Sequence, residues 1–317
     1  MLEQENITGS PTSSSDARLA LILLFSTTVL WGTLYIVTKV VTENVPIFFF
    51  LGTRHLIAVL AFAPLFRHLR HLDWKTTWMA IVTGGANFLL NAFQVYGLQS
   101  ISPSKSAFLT GFSVVLVPFL AVGILKRPIR RSTWLAAGIS MAGIGVITLT
   151  GSASQLFQFG VGELFTLIGA FFAAIQIVYT ERFAPKVDLV AFSILQLALV
   201  SGLSFACSSF VDSWRDLPLA SPTFWAVILW MGIAVTTFPF MFQNFGQRHQ
   251  SSTRVAVIFT LEPVFATLFG VLLGGEQLAF QLAVGGGLIL FANVIATRGG
   301  TVEKQAKKPT NHDIVAG

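Results

Sequence analysis

Charge is scarce in this chain. Of its 317 residues only 11% are Asp, Glu, Lys or Arg, and just 14 are acidic. A soluble domain carries roughly 25% charged residues, so two ordinary soluble domains, which the length would allow, are excluded. Cysteine is nearly missing as well. Cys207 stands alone in an apolar run, which rules out a disulfide framework or a cysteine metal site within one chain. With five histidines, no HExxH, no Gly-x-Ser-x-Gly and no paired aspartates at prenyl-transfer spacing, an intramembrane enzyme is disfavoured. G-x-x-x-x-G-K-[ST] is also missing, which favours a secondary carrier or facilitator over an ATP-driven pump, and no bound cofactor is expected. Gly84-Gly85 and Gly285-Gly286-Gly287 have no strand before them and no Lys-Ser/Thr after, so they read as close helix packing rather than phosphate loops.

What is abundant is apolar surface. Hydrophobic residues make up 54% of the chain, 30 of them Phe, and the mean hydropathy is +0.74. The lipid bilayer is the natural solvent of such a composition. A hydrocarbon core of about 30 Å takes roughly 20 apolar helical residues. Ten segments qualify: 19–40, 46–66, 76–99, 104–125, 132–150, 160–181, 189–210, 222–246, 253–274 and 279–298. An all-α, polytopic membrane protein follows. Residues 1–17 lack the positive n-region of a cleaved signal peptide, and both they and 299–317 are expected to form disordered cytoplasmic tails.

The net charge of +6 sits mostly in short gaps between these segments. That distribution argues for membrane orientation and against a nucleic-acid partner. With a cytoplasmic N-terminus, 16 Lys and Arg fall inside and only Lys39, Lys105 and Arg215 outside, while Arg54 lies within a span. The positive-inside rule then puts both termini in the cytoplasm, in the manner of a multi-pass protein of the cell membrane.

An internal repeat is present. At an offset of 149 residues, Phe93, Gln94 and Gly97 fall on Phe242, Gln243 and Gly246, Ser102 on Ser251 and Lys105 on Arg254. Five spans per copy is an odd number, so the second copy enters from the opposite side, giving two inverted five-helix repeats over 18–151 and 160–298. The charges swap accordingly. Residues 126–131 hold four basic residues and their counterpart at 275–280 holds none.

Trp31-Gly32, Lys39 at the end of the first span, Arg54 in the second, and Leu261-Glu262-Pro263 followed by Gly274-Gly275-Glu276 add a further pattern. In this order the chain resembles the EamA-like transporters of the drug/metabolite transporter superfamily, over about residues 19–298. The resemblance implies movement of amino acids, other metabolites or toxic compounds through a central cavity between the halves. One departure stands out: Glu276 aligns with Arg127, so the first copy lacks that acidic turn residue.

Inverted-repeat carriers bind their substrate near the midplane, where the copies meet. Arg54 and Glu262 lie eight and nine residues into their segments, deep enough to face that cavity or to pair with each other. Asn87, Asn91 and Gln94 share a helical face, as do Thr236, Gln243 and Gln247, Trp31, Tyr35 and Thr38, and Gln176 with Thr180 or Tyr179. Interhelical hydrogen bonding is the plain alternative for each amide. Lys39 is either a substrate contact or a snorkelling anchor at the outer interface, and Glu276 is expected to cap the tenth helix. The expected substrate-binding set is thus Trp31, Tyr35, Lys39, Arg54, Asn87, Asn91, Gln94, Gln176, Gln243 and Glu262. Glu262, the one deep carboxylate able to carry a proton, leaves proton coupling open beside simple facilitation. The expected function is transport of a small amphipathic substrate, most simply export by alternating access, with a non-transporting receptor or scaffold as the alternative.

Overall fold

The computed structural model describes residues 14–126, 131–148, 160–214, 217–274 and 280–299. Every regular element among them is helical. The long apolar runs explain this, since in lipid a helix satisfies its own backbone polar groups. The first run forms α1 (Ser14–Gly32) and α2 (Leu34–Thr42), broken at Thr33. Next, α3 (Ile47–Ala61) bends by 78° into a 3-10 turn starting at Ala63. It is followed by α4 (Trp74–Ser100), α5 (Pro103–Gly111), α6 (Ser113–Leu125) and α7 (Arg131–Thr148). The second half holds α8 (Val161–Phe183), α9 (Leu189–Val211), and α10 (Pro222–Gly232) joined through a π-turn at Ile233–Thr237 to α11 (Phe238–His249). It closes with α12 (Ser252–Phe259), α13 (Glu262–Gly274) and α14 (Phe280–Gly299).

Among the described residues six helical segments are long and apolar enough to cross a membrane, and a seventh if the bent α3 segment counts as one. The expectation of ten crossings therefore meets that criterion only in part. The 27-residue α4 falls outside the six, and it carries Asn87, Asn91, Gln94 and Gln99. The first helix begins at Ser14, inside the stretch read as tail. Residues 1–13 and 300–317, and Glu276 with its expected cap, lie outside the described residues.

Helix starts are written into the sequence. Asp73 Oδ1 accepts from the Thr76 amide at 2.9 Å to open α4, and Asp188 Oδ1 accepts from the Ala191 amide at 2.9 Å to open α9. Burial alone pushes the Asp188 carboxyl up. The Ala191 amide and the His68 ring at 2.8 Å outweigh it and hold the group below the ordinary carboxylate range.

Packing joins the two halves of the chain. The most extensive pairs are α4 with α8, α7 with α14, and α3 with α9, followed equally by α1 with α11 and α4 with α9. Between helices in lipid the attraction is van der Waals contact, which favours small residues at crossings. Gly97 and Gly162 meet in this way, a Cβ on Gly97 coming within 2.6 Å of the Gly162 carbonyl. Of the glycines expected to pack closely, Gly84 and Gly285 do so, whereas Gly85 and Gly287 have nothing within 4 Å of where a Cβ would stand. A Cβ on Gly84 would stand 3.1 Å from Gln196 Cα, and one on Gly143 would stand 2.7 Å from the Gly285 carbonyl. The outer faces carry Phe119, Leu272, Phe280 and Phe291, all exposed and apolar as a lipid-facing coat requires.

Candidate solute cavity

Among the described residues, four interruptions of the helical runs converge. The breaks at Thr33, at Phe112, at the π-turn Ile233–Thr237 and at Thr260–Leu261 each contribute lining to one enclosed cavity, through Trp31 and Leu34, Thr110, Gly111 and Ser113, Thr236, and Phe259, Thr260, Glu262 and Pro263. Irregular backbone at membrane depth is tolerated where it borders such a cavity. Two of the breaks have a visible cause nearby: Pro239 and Pro263 have no N–H to continue a helical ladder.

The cavity measures about 80 Å³. That admits several waters and is well below the roughly 300 Å³ at which small-molecule sites begin. A metabolite-sized molecule does not fit this space as it stands.

Of the residues expected to contact substrate, Trp31, Arg54, Asn87, Asn91, Gln94, Gln176, Gln243 and Glu262 line this space. Arg54 is buried on α3. Its Nε donates to Thr236 Oγ1 at 2.7 Å, and Nη1 has no hydrogen-bond partner. The π-turn positions that acceptor, because Thr236 Oγ1 in turn donates to the Met231 carbonyl five residues back at 2.7 Å. Among the described residues Arg54 and Glu262 do not form an ion pair, and Glu262 is an electrostatic neighbour of Tyr35. Glu262 sits in the first turn of α13 rather than deep in a continuous helix, where the helix dipole favours negative charge.

The amides are tied into chains. Asn91 Nδ2 donates to Asn87 Oδ1 at 3.1 Å, and Gln94 Nε2 donates to the Tyr35 hydroxyl and to Thr110 Oγ1, each at 3.1 Å. Gln243 Nε2 donates to Gln176 Oε1 at 2.9 Å, which links α11 to α8. Tyr35 does not border the cavity and reaches it through Gln94. Trp31 and Phe259 form an edge-to-face wall with ring centres 5.1 Å apart.

Lys39 lies elsewhere. Its Nζ donates to the carbonyls of Leu98 at 2.6 Å, Gln99 at 3.0 Å and Ile101 at 3.3 Å, so it caps the C-terminal end of α4 and does not line the cavity. Lys105 forms an ion pair with Glu163 at the start of α8. The lining also includes His55, Thr110, Ser113 and Thr260, which sequence reading passed over. His55 and Arg54 are adjacent in sequence, and helical periodicity separates neighbours by face. Thr110 hides in an apolar run because its hydroxyl bonds its own helix, to the Ser106 carbonyl at 3.0 Å.

One helical turn beyond Gln176 and Gln243 the lining changes. A basin of about 910 Å³ is bordered by Lys126, Arg182, Lys186 and Arg248, with Tyr179, Glu181 and Gln247. Glu181 accepts from the Ser252 amide at 2.7 Å, and Gln247 Nε2 donates to the Ile177 carbonyl at 2.6 Å. The Gln243–Gln176 and Gln247–Ile177 bonds thus stand between the small cavity and the wide basic basin. Among the described residues no group of three His, Cys, Asp or Glu comes together that would hold a metal.

A helical membrane protein with a polar cavity at broken helices has the build of a solute carrier. The EamA-like transporter family matches residues 18–149 and 160–298, so the chain belongs to that family and is a multi-pass membrane protein. An uncharacterized transporter of Archaeoglobus fulgidus is 27% identical over 283 residues, which are 89% of this chain and 85% of that protein. The S-adenosylmethionine/S-adenosylhomocysteine transporter of Chlamydia muridarum is 23% identical, over 82% of this chain and 85% of its own. The Escherichia coli inner membrane transporter YedA is 25% identical, over 87% and 90%. A solved crystal structure superposes with a TM-score of 0.73 at 19% identity, covering 89% of this chain and 98% of that one, which is a likeness of fold.

Proposed function

We propose that this protein spans the membrane ten times as two inverted five-helix repeats, 18–151 and 160–298, with both termini cytoplasmic. In this reading it exports amino acids or related amphipathic metabolites by alternating access. Several element bounds support the repeat: α5 and α6 begin at Pro103 and Ser113, and α12 and α13 begin 149 residues later at Ser252 and Glu262. The pairing of α4 with α8 has its counterpart in that of α11 with α1, as a two-fold relation between halves requires. Basic residues expected inside the cell, Arg67, Arg70, Lys75, Lys126, Arg182, Lys186 and Arg248, border connected hollows at one end, which supports the orientation.

The observation that carries the transport reading is the meeting of four helix breaks around one amide- and aromatic-lined cavity. Such a site serves two sides of a membrane when its helices rock apart in turn. The amide wall and Trp31 suit a cargo with a polar head and an apolar body. The name of the Chlamydia relative supports a metabolite with an amino-acid end.

Access can be measured directly. With Cys207 replaced by Ala, Gln243→Cys should react with a membrane-impermeant maleimide from either side of the membrane, and transported cargo should slow both reactions. Reaction from one side only, unaffected by any cargo, would support a receptor or scaffold instead.

A further inference from the structure

Among the described residues, the lining side chains include fully buried polar atoms without a hydrogen-bond partner. Three buried lining atoms have no partner, and all three are N–H donors: Arg54 Nη1, Asn87 Nδ2 and Gln176 Nε2. Their side chains are 4%, 2% and 3% exposed, so solvent does not satisfy them from outside. Each follows from its neighbours. The Asn87 oxygen is used by Asn91 and the Gln176 oxygen by Gln243, leaving the N–H groups over. Arg54 is donor-only chemistry, and its one bond runs from Nε to Thr236. The carboxylate on the same lining, Glu262, forms no ion pair with Arg54. An unpaired buried guanidinium is costly in a membrane protein, and groups of this kind stay charged where a partner arrives.

We propose that the cavity recognises its cargo through a carboxylate that seats on Arg54 and takes the spare N–H groups of Asn87 and Gln176. This rests on the transport reading and adds the charge of the cargo's head. A carboxylate brings two oxygens and several lone pairs, which match a guanidinium edge and two amide donors without supplying a competing proton. The walls suit the rest of such a molecule, since Trp31, Leu90, Phe240 and Phe259 are apolar or aromatic.

The approach to the cavity carries the same sign. The basin one turn away holds Lys126, Arg182, Lys186 and Arg248 against the single carboxylate of Glu181. A concave surface of one charge raises the local concentration of its counter-ion. Anions therefore gather at the mouth and are received by Arg54 within.

The test uses one carbon skeleton with four heads: 3-phenylpropionate, 3-phenylpropanol, 3-phenylpropylamine and 3-phenylpropylphosphonate. Melting of the purified full chain in detergent is followed against each, and flux of each is followed in proteoliposomes. The propionate should raise the melting temperature where the alcohol and amine do not. Arg54→Gln should weaken that binding about tenfold or more. Asn87→Leu and Gln176→Leu, which keep the cation, should each weaken it severalfold, and they decide the matter if Arg54→Gln fails to fold. Equal stabilisation by the alcohol or amine, no stabilisation by the propionate, or an undiminished preference in the variants that fold would overturn the proposal. Preference for the phosphonate would also overturn it, in favour of a phosphorylated head. Propionate-selective binding without any flux would leave the site standing and remove the transport reading. Saturable flux of the amine or alcohol alone would do the reverse.

Discussion

Replacing Arg54 by Met separates function from folding, because the two respond in opposite directions. The side chain is 4% exposed and makes one hydrogen bond, from Nε to Thr236 Oγ1. Losing a bond to a charged group costs about 1.5–3 kcal/mol. Against this, an ionised Arg at membrane depth costs about 2.5–3.5 kcal/mol on insertion scales, and Met of similar length removes that cost. Thr236 is not orphaned, since its hydroxyl already donates to the Met231 carbonyl. The terms nearly cancel, leaving stability unchanged or raised by about 1 kcal/mol, a shift of a few degrees at most for a chain of this size. Transport of a carboxylate-bearing substrate should meanwhile fall below detection. Melting of purified Arg54→Met in detergent, beside flux in proteoliposomes, reads both numbers. A variant that melts many degrees lower, or that transports with wild-type KM, would refute the reasoning and make Arg54 a structural bolt.

Lys39→Met should do the contrary. Three carbonyls at the end of α4 lose their ammonium cap, which should lower stability by about 2 kcal/mol while the variant that remains folded keeps its KM. Gly97→Val should block the α4–α8 approach and abolish folded yield, read by size-exclusion of the solubilised protein. Glu262→Gln should keep exchange of substrate between the two sides but lose acceleration by a pH gradient; a wild type whose flux ignores pH removes the proton role. The depressed Asp188 carboxyl stabilises the fold above the ordinary carboxylate range, and that contribution should fade as pH falls below about 4, with Asp188→Asn flattening the acid limb of the melting curve. Tags on both termini should be reached only from the cytoplasm and a tag within 151–159 only from outside, with termini on opposite faces refuting the ten-span count.

Periodicity made much of the cavity wall readable in advance. Amides spaced by one helical turn in an apolar run must share a face, so Asn87, Asn91 and Gln94 were legible from spacing alone, and Gln176 and Gln243 by the same reasoning. The interruptions were not. The breaks at Thr33 and Phe112 have no proline at the break itself, so the spacing of residues gave no sign of them. Lys39 illustrates the same limit, because the carbonyls it caps lie some 60 residues further along the chain. Its sequence position at a helix end fits a snorkelling anchor and a substrate contact equally well, and only the fold brings the end of α4 to it. Small hydroxyl residues such as Thr110 and Ser113 were invisible for another reason. In apolar helices they commonly bond their own backbone, so their presence carries no directional signal.

Saturable flux decides most. Purified protein in liposomes, offered radiolabelled small amphipathic metabolites with and without a pH gradient, should show uptake that saturates, with Gln94→Ala and Gln243→Ala each weakening it while remaining folded. Folded, correctly inserted protein that moves none of them faster than empty liposomes would contradict the reading of this chain as a carrier.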